Sequence, residues 1–274
     1  MKNNFKNYLF RFLLFAIILL LSITCQNCTS TNANNIKEKN RNLKKFKISN
    51  KQISITKECL LGKINPATDT AFTLIDQKYS GNRMMYMRKE AYTAFKKMYD
   101  AALKDGIIFF IISATRTFDE QKIIWESKWT GKSLYYGQNI AALYPDSVDR
   151  SKFVLAYSSM PGTSRHHWGT DIDLNSIEIP FYDTDDGKKL YKWLVENAPK
   201  YGFCQPYTAK DSLHITGYEE EKWHWSYYPL SSIFMQQYKE KISYNDLKDF
   251  AGWQTAKKID IINNYVLSVS TKCE

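Results

Sequence analysis

The sequence predicts an α+β domain with an antiparallel sheet at its core and helices packed around it. Three observations predict it. Helical and strand periods follow one another as helix, strand, helix, strand, helix, strands, helix. One strand, Gly169 to Leu174, alternates Asp171 and Asp173 on one face with Ile172 and Leu174 on the other, so its polar face lines something. The composition, 44% apolar and 15% aromatic, is enough for a sizeable core.

Each element has its own signal. Residues 86–104 carry Met87, Ala91, Phe95, Met98 and Ala102 at helical spacing, and Gly106 supplies the stop. The apolar, β-branched run from Ile107 to Ile112 reads as a buried strand. Thr117 and Glu120 form a capping box that opens a helix through about Trp125. Residues 131–163 lack strong periodicity and read as loop with short helical turns. Thr184 caps a helix with Asp185 and Asp186 in its first turn. Leu190, Trp193, Leu194 and Ala198 lie on one side of it, and Gly202 ends it. Residues 213–217 and 222–228 are aromatic and β-branched, two strands around a turn containing Gly217. The last element, Tyr244 to about Leu267, reads as helix.

The chain has 274 residues and a net charge of +10, but the charge is not spread evenly. Residues 1–58 hold 11 basic and 2 acidic side chains, leaving the remainder nearly neutral. A nucleic-acid partner is not expected, since its basic stripe would lie on the folded domain. Residues 1–25 read as an export signal. Lys2, Lys6 and Arg11 precede an uncharged run from Phe12 to Ile23, shorter than the ~20 residues of a spanning helix. Cys25 follows Leu21-Ser22-Ile23-Thr24, which loosely resembles a bacterial lipoprotein cleavage site, and lipid attachment there would make the chain a membrane-anchored envelope protein. Ordinary signal cleavage and an uncleaved anchor stay open.

Residues 26–58 form a basic polar tether, too poor in apolar side chains to fold alone. Residues 59–274 are the expected domain, acting as a monomer. In an oxidising compartment, Cys59 and Cys273, near the domain's two ends, are expected to pair, with Cys204 a buried free thiol. Cys25 and Cys28 lack the strand–helix context of a redox pair.

The four histidines are not scattered. His166 and His167 open the strand bearing Asp171 and Asp173, and His224 lies three residues after Glu221. Two histidines with one carboxylate are a common ligand set for catalytic zinc, and a glutamate often serves as base beside it. His166, Asp173, His224 and Glu221 would supply those parts. A strand histidine is also an ordinary structural residue, however, and on one strand Glu221 and His224 would point to opposite faces. They converge only if Glu221 lies in the turn before it.

These residues carry a resemblance. Ser164-Arg165-His166-His167-Trp168-Gly169-Thr170-Asp171-Ile172-Asp173 resembles the S-x-H-x-x-G-x-[AD]-x-D signature of the VanY-type zinc D-alanyl-D-alanine carboxypeptidases. Glu221-Lys222-Trp223-His224-Trp225 is similar to that family's E-x-W-H element, and Ser113 to Gln121 to its S-G-Y-R-S-x-x-x-Q segment, with Ala114 and Thr115 replacing the usual Gly and Tyr. The three occur in the family's order across roughly residues 107–228.

The resemblance implies a sheet carrying Zn2+ on His166, Asp173 and His224, with Glu221 as catalytic base. Arg116 would polarise the scissile carbonyl or hold a substrate carboxylate, with Gln121 and Ser164 beside it. The implied partners are peptidoglycan stem peptides. A D,D-dipeptidase, an L,D-carboxypeptidase and an endopeptidase are alternatives on the same fold. A wall-binding lipoprotein without activity would have no need of Glu221. A serine enzyme built on Ser164 lacks any G-x-S-x-G or S-x-x-K element. Asp171 reads as a structural or ligand-orienting carboxylate, His167 and His214 as structural, Glu219 and Glu220 as solvated, and Trp168, Trp223 and Trp225 as core or pocket wall.

Overall fold

A computed structural model of the chain describes residues 54–134, 137–210 and 216–273. The expected export signal, residues 26–53 of the expected tether, Cys25, Cys28, His214 and most of the strand expected at 213–217 lie outside them. Residues 54–58, read as tether, instead join the folded domain, with Ile55 buried and Thr56 capping a turn at Lys57–Leu60. Among the described residues no helix is long and apolar enough to cross a membrane.

Among these residues, six strands make two antiparallel sheets. β1 (Phe72–Leu74) pairs with β2 (Tyr86–Arg88). β3 (Ile111–Ser113), β4 (Asp171–Leu174), β5 (Phe203–Cys204) and β6 (His224–Tyr227) form the second sheet in the order β3-β4-β6-β5. The longer helices are α1 (Lys89–Lys104), α2 (Phe118–Trp129), α3 (Ser147–Val154), α4 (Asp185–Asn197) and α5 (Tyr228–Lys241). The α+β reading with an antiparallel core holds.

The central pair, β4 and β6, divides the molecule. Asp171 pairs with Ser226, Ile172 with Trp225 and Asp173 with His224. Successive side chains leave opposite faces of a strand, so Ile172, Leu174, Trp225 and Tyr227 enter one apolar cluster with Ala91, Phe95, Met98 and Ala102 of α1. Tyr79, Phe95, Tyr99 and Phe109 tighten that cluster with edge-on ring contacts of 4.8–5.9 Å. A second cluster, with Trp125, Trp168, Phe234 and Tyr238 at its centre, buries α2, α5 and the C-terminal segment. The chain already enters this cluster at Ile55, whose amide donates to Gln237 Oε1 at 2.9 Å.

Local signals explain the helix ends. Thr117 and Glu120 complete the capping box of α2, which runs on to Trp129. Thr184 Oγ1 accepts from the Gly187 amide at 3.1 Å and caps α4. Short helices at Ile140–Leu143 and Ser147–Val154 fill the segment read as loop with helical turns.

Three expectations are corrected. The run from Ile107 is not a continuous buried strand. Ile107 and Phe109 are buried, whereas Ile108 and Phe110 are 55% and 45% exposed. The cause is position, because β3 is an edge strand. The Phe110 amide is taken by the Asn175 side chain before ladder pairing begins at Ile111.

The expected helix from Tyr244 to Leu267 is broken into short turns, including Thr255–Lys258 and a π turn at Ile262–Val266. Asp249, Gly252 and Asp260 adopt φ values of 72°, 79° and 50°, and a helix cannot pass through such left-handed residues.

The expected Cys59–Cys273 bridge is replaced by Cys204–Cys273, with Cα atoms 5.6 Å apart. The C-terminal turn buries Cys273 in the same apolar cluster as Cys204. Cys59 lies under the Arg88 guanidinium, whose Nη2 is 3.1 Å from its sulfur.

The bridge closes a loop with a sequence separation of 69. In the chain-entropy view, a loop of that length stabilises the fold by about 4 kcal/mol. Urea unfolding of Cys204→Ala should therefore show a loss of up to about that size. Alkylation of the unreduced, denatured protein should label Cys59 and spare Cys204 and Cys273. Labelling of Cys204 and Cys273 would contradict the pairing.

Candidate metal centre

The face of β4 and β6 turned away from α1 gathers Asp171, Asp173, His224 and Ser226, all buried. His166 arrives from a single 3-10 turn, Arg165–Trp168, which Ser164 caps by accepting the His166 amide at 3.3 Å. Gly169 ends this turn at φ 72°, and a β-carbon there would lie 2.4 Å from Phe72 Cε1. Glycine is required on both counts, and it lets the chain drop straight into β4.

Two imidazoles face one carboxylate. His166 Nε2 is 3.3 Å from Asp173 Oδ2, and His224 Nδ1 is 3.6 Å from Asp173 Oδ1. His166 Nδ1 lies 2.7 Å from the Ala114 carbonyl. A carbonyl only accepts, so Nδ1 carries the proton and Nε2 offers its lone pair to the centre. One ligand atom from each of His166, Asp173 and His224 lies within 4.8 Å of the others. His166 Nε2 and Asp173 Oδ1 are buried without a hydrogen-bond partner. Orphaned acceptors of this kind are costly unless something else satisfies them, and a cation held by all three residues would do so.

Glu221 stands beside the trio. It lies in the turn that precedes β6, not on the strand, and the His224 amide donates to its carbonyl at 3.3 Å. This placement resolves the problem of opposite faces: the Glu221 carboxylate reaches His224 Nδ1 at 3.0 Å. Burial raises its carboxyl above the usual range, with His224 opposing the shift. Burial would lower the His224 ring, but hydrogen bonds to Asp171 and Glu221 together with the charge of Asp173 push it up to about 9. Three carboxylates around one imidazole make a place that favours positive charge.

Arg116 follows β3, and its Nη2 lies 4.0 Å from Asp173 Oδ2. Its Nε is buried without a partner. Gln121 on α2 is wholly buried. Its amide donates to the Ser159 carbonyl at 2.7 Å, and its Oε1 is unpartnered. Ser164 is placed as the cap of the His166 turn.

Sequence reasoning passed over Lys128 of α2, which hydrogen-bonds to Ser158. Burial first, then the nearby Arg116 charge, pushes its ammonium down to about 8. It also missed Arg165 and Ser226, both of which contact Asp171. Ser226 was findable, since two residues beyond His224 on a strand is the same face.

His167 serves the fold, as expected. Its Nδ1 lies 2.7 Å from the Arg116 carbonyl, and its Nε2 accepts from the Gly162 amide at 3.0 Å. The Asp171, Glu219 and Glu220 expectations are also met in their surroundings: the first is buried beside His224 and the other two are partly exposed.

Two imidazoles and an aspartate gathered at one face of an antiparallel sheet, with a buried glutamate beside them, define a candidate metal centre. The sequence profile of the VanY D-alanyl-D-alanine carboxypeptidases matches residues 84–230, and the chain belongs to that family. YodJ of Bacillus subtilis is 36% identical over 148 residues, covering 52% of this chain and 46% of YodJ. A D-alanyl-D-alanine carboxypeptidase of Enterococcus faecalis is 28% identical over 168 residues, covering 61% of this chain and 57% of its own. The chain spans about half the length of the curated relatives it matches. Among solved structures, the LdcB LD-carboxypeptidase aligns at TM-score 0.45 with 28% identity, covering 64% of this chain and 79% of that one.

The His167 environment gives a pH prediction. Burial holds its ring neutral down to about 3, against 6.5 for a free histidine. Between those values the unfolded chain binds the proton and the folded chain does not, so this stability is present above about 6.5 and is lost as pH falls. Urea unfolding from pH 7 to 4.5 should show a shallower fall for His167→Gln than for the parent, by up to about 1.4 kcal/mol per pH unit. Equal slopes would contradict the assignment.

Proposed function

We propose that the chain is a zinc carboxypeptidase that hydrolyses the C-terminal D-amino-acid bond of peptidoglycan stem peptides. One observation carries this reading: the convergence of His166, Asp173 and His224 with Glu221 3.0 Å from the His224 ring. Membership of the D-alanyl-D-alanine carboxypeptidase family supports the substrate class.

His166 Nε2, Asp173 and His224 Nδ1 would hold the zinc, and their nitrogen and carboxylate donors suit that ion. When bound, zinc supplies a Lewis acid and brings the pKa of a coordinated water toward ~7. Glu221 takes a proton at a carboxylate oxygen and returns it to the leaving amine. Its burial and raised pKa suit both steps, because such an acid holds and releases a proton nearer neutral pH. Arg116 carries an unpartnered Nε into the same space and can donate to the oxyanion of the scissile carbonyl or to a terminal carboxylate. We assign Gln121, whose Oε1 is unpartnered, and Ser164 to the substrate pocket from the family motif. A D,D-dipeptidase, L,D-carboxypeptidase or endopeptidase would use the same machinery with different room around the bond.

The export signal, lipid attachment at Cys25, membrane tethering and a monomeric state belong to this proposal. The N-terminal charge and the placement of Cys25 support an envelope location, where the substrate is found.

Digestion of defined stem peptides that end in a D-residue should release that residue, the tripeptide stem that lacks one should stay intact, and a chelator should stop the release. Glu221→Gln should lower turnover at least 100-fold while leaving bound zinc unchanged. Chelator-insensitive cleavage, or full activity in Glu221→Gln, would contradict the proposal.

A further inference from the structure

Behind His224 lies a pair of buried charges that the hydrolytic steps do not use. Arg165 and Asp171 have fully buried side chains, and Arg165 Nε donates to Asp171 Oδ1 at 3.0 Å. The same Oδ1 lies 3.0 Å from His224 Nε2. The other carboxylate oxygen is occupied, with Thr170 Oγ1 at 2.5 Å and Ser226 Oγ at 3.1 Å. Arg165 Nη2 donates in turn to Ser226 Oγ at 2.7 Å, and Ser226 Oγ is 2.8 Å from Ser231 Oγ. Every polar atom around the carboxylate is thus engaged, and Oδ1 is the position left for the imidazole.

We propose that the Arg165–Asp171 ion pair is a positioning device for His224, holding the ring proton on Nε2 and presenting Nδ1 to the metal. The proposal rests on the metal reading above. Its chemical logic is competition for one proton. His224 Nδ1 also lies 3.0 Å from Glu221 Oε2. In the metal-binding form the ring carries a single proton. If that proton sat on Nδ1, it would be donated to Glu221, removing a ligand lone pair and occupying the base in one step. Asp171 accepts at the opposite nitrogen and keeps both free. Arg165 makes this possible, because a carboxylate with no solvent contact is strongly disfavoured unless an opposing charge is buried with it. The network therefore joins β4 to β6 and fixes the ring in the plane it needs.

The test compares parent, Asp171→Asn and the double variant Arg165→Met with Asp171→Ala. The double variant removes both charges together and places at 171 a residue that the family motif admits. Zinc affinity is read by competition with a chelating dye, folding by thermal melting, and the His224 Nε2–H resonance by proton NMR of the zinc-loaded protein. Both variants should melt as folded proteins yet bind zinc 10–100-fold more weakly. The strongly downfield Nε2–H signal of the parent should shift upfield or broaden by exchange.

If Asp171→Asn fails to fold, the double variant decides alone. Zinc affinity within two-fold of the parent, with an unshifted Nε2–H signal, would overturn the proposal. Absence of zinc binding by the parent would instead overturn the metal reading on which it rests.

Discussion

The register of β4 against β6 is the constraint on which the rest depends. Pairing Asp173 with His224 and Asp171 with Ser226 sends four polar side chains to one face and Ile172, Leu174, Trp225 and Tyr227 to the other. Because the period of a strand is two, a slip of one residue would exchange the faces. It would bury two carboxylates against α1 and expose Trp225 to the site. The apolar face therefore fixes the polar face and the candidate metal centre on it. Burial of side chains such as Ile172 and Trp225, each contributing roughly 1.5–3 kcal/mol or more, also holds the candidate ligands in place.

A second constraint is charge. The polar face collects Asp171, Asp173 and Glu221 in a region with almost no water contact. Arg165 opposes Asp171, and Arg116 stands 4.0 Å from Asp173. Burial alone would raise the Asp171 carboxyl, but Arg165 and the hydrogen bonds of His224 and Thr170 outweigh it and hold the group well below the usual range. Asp173 follows the same pattern, with His166 as the main opposing influence. The two imidazoles complete the arrangement, and the unpartnered His166 Nε2 and Asp173 Oδ1 mark where a cation would complete it further.

Much of this was legible in the sequence wherever one short segment carries the whole signal. The alternation of Asp171 to Leu174, the capping box at Thr117 and Glu120, and the Thr184 cap each depend on neighbours in the chain, and each stands in the structure. The three motifs name His166, Asp173, His224 and Glu221, and the structure brings these four side chains together. What escaped depends on distant contacts. Cys204 and Cys273 meet only because the C-terminal segment packs onto β5, while Cys59 is drawn to Arg88. The apolar period of residues 244–267 looks helical, yet left-handed turns at Asp249, Gly252 and Asp260 let the segment wrap around α2 and α5 instead. Arg165 looked like a variable position within its motif, and its role emerges only when β6 brings Ser226 and His224 to Asp171.

The central claim is that His166, Asp173 and His224 converge on one metal ion. Zinc K-edge absorption spectroscopy of the purified protein tests it most directly. The account predicts one zinc per chain in a shell of two imidazole nitrogens and oxygen, with no sulfur, and loss of that signature in His224→Ala. A protein that binds no zinc, or one whose zinc is ligated by sulfur from Cys59, would contradict it.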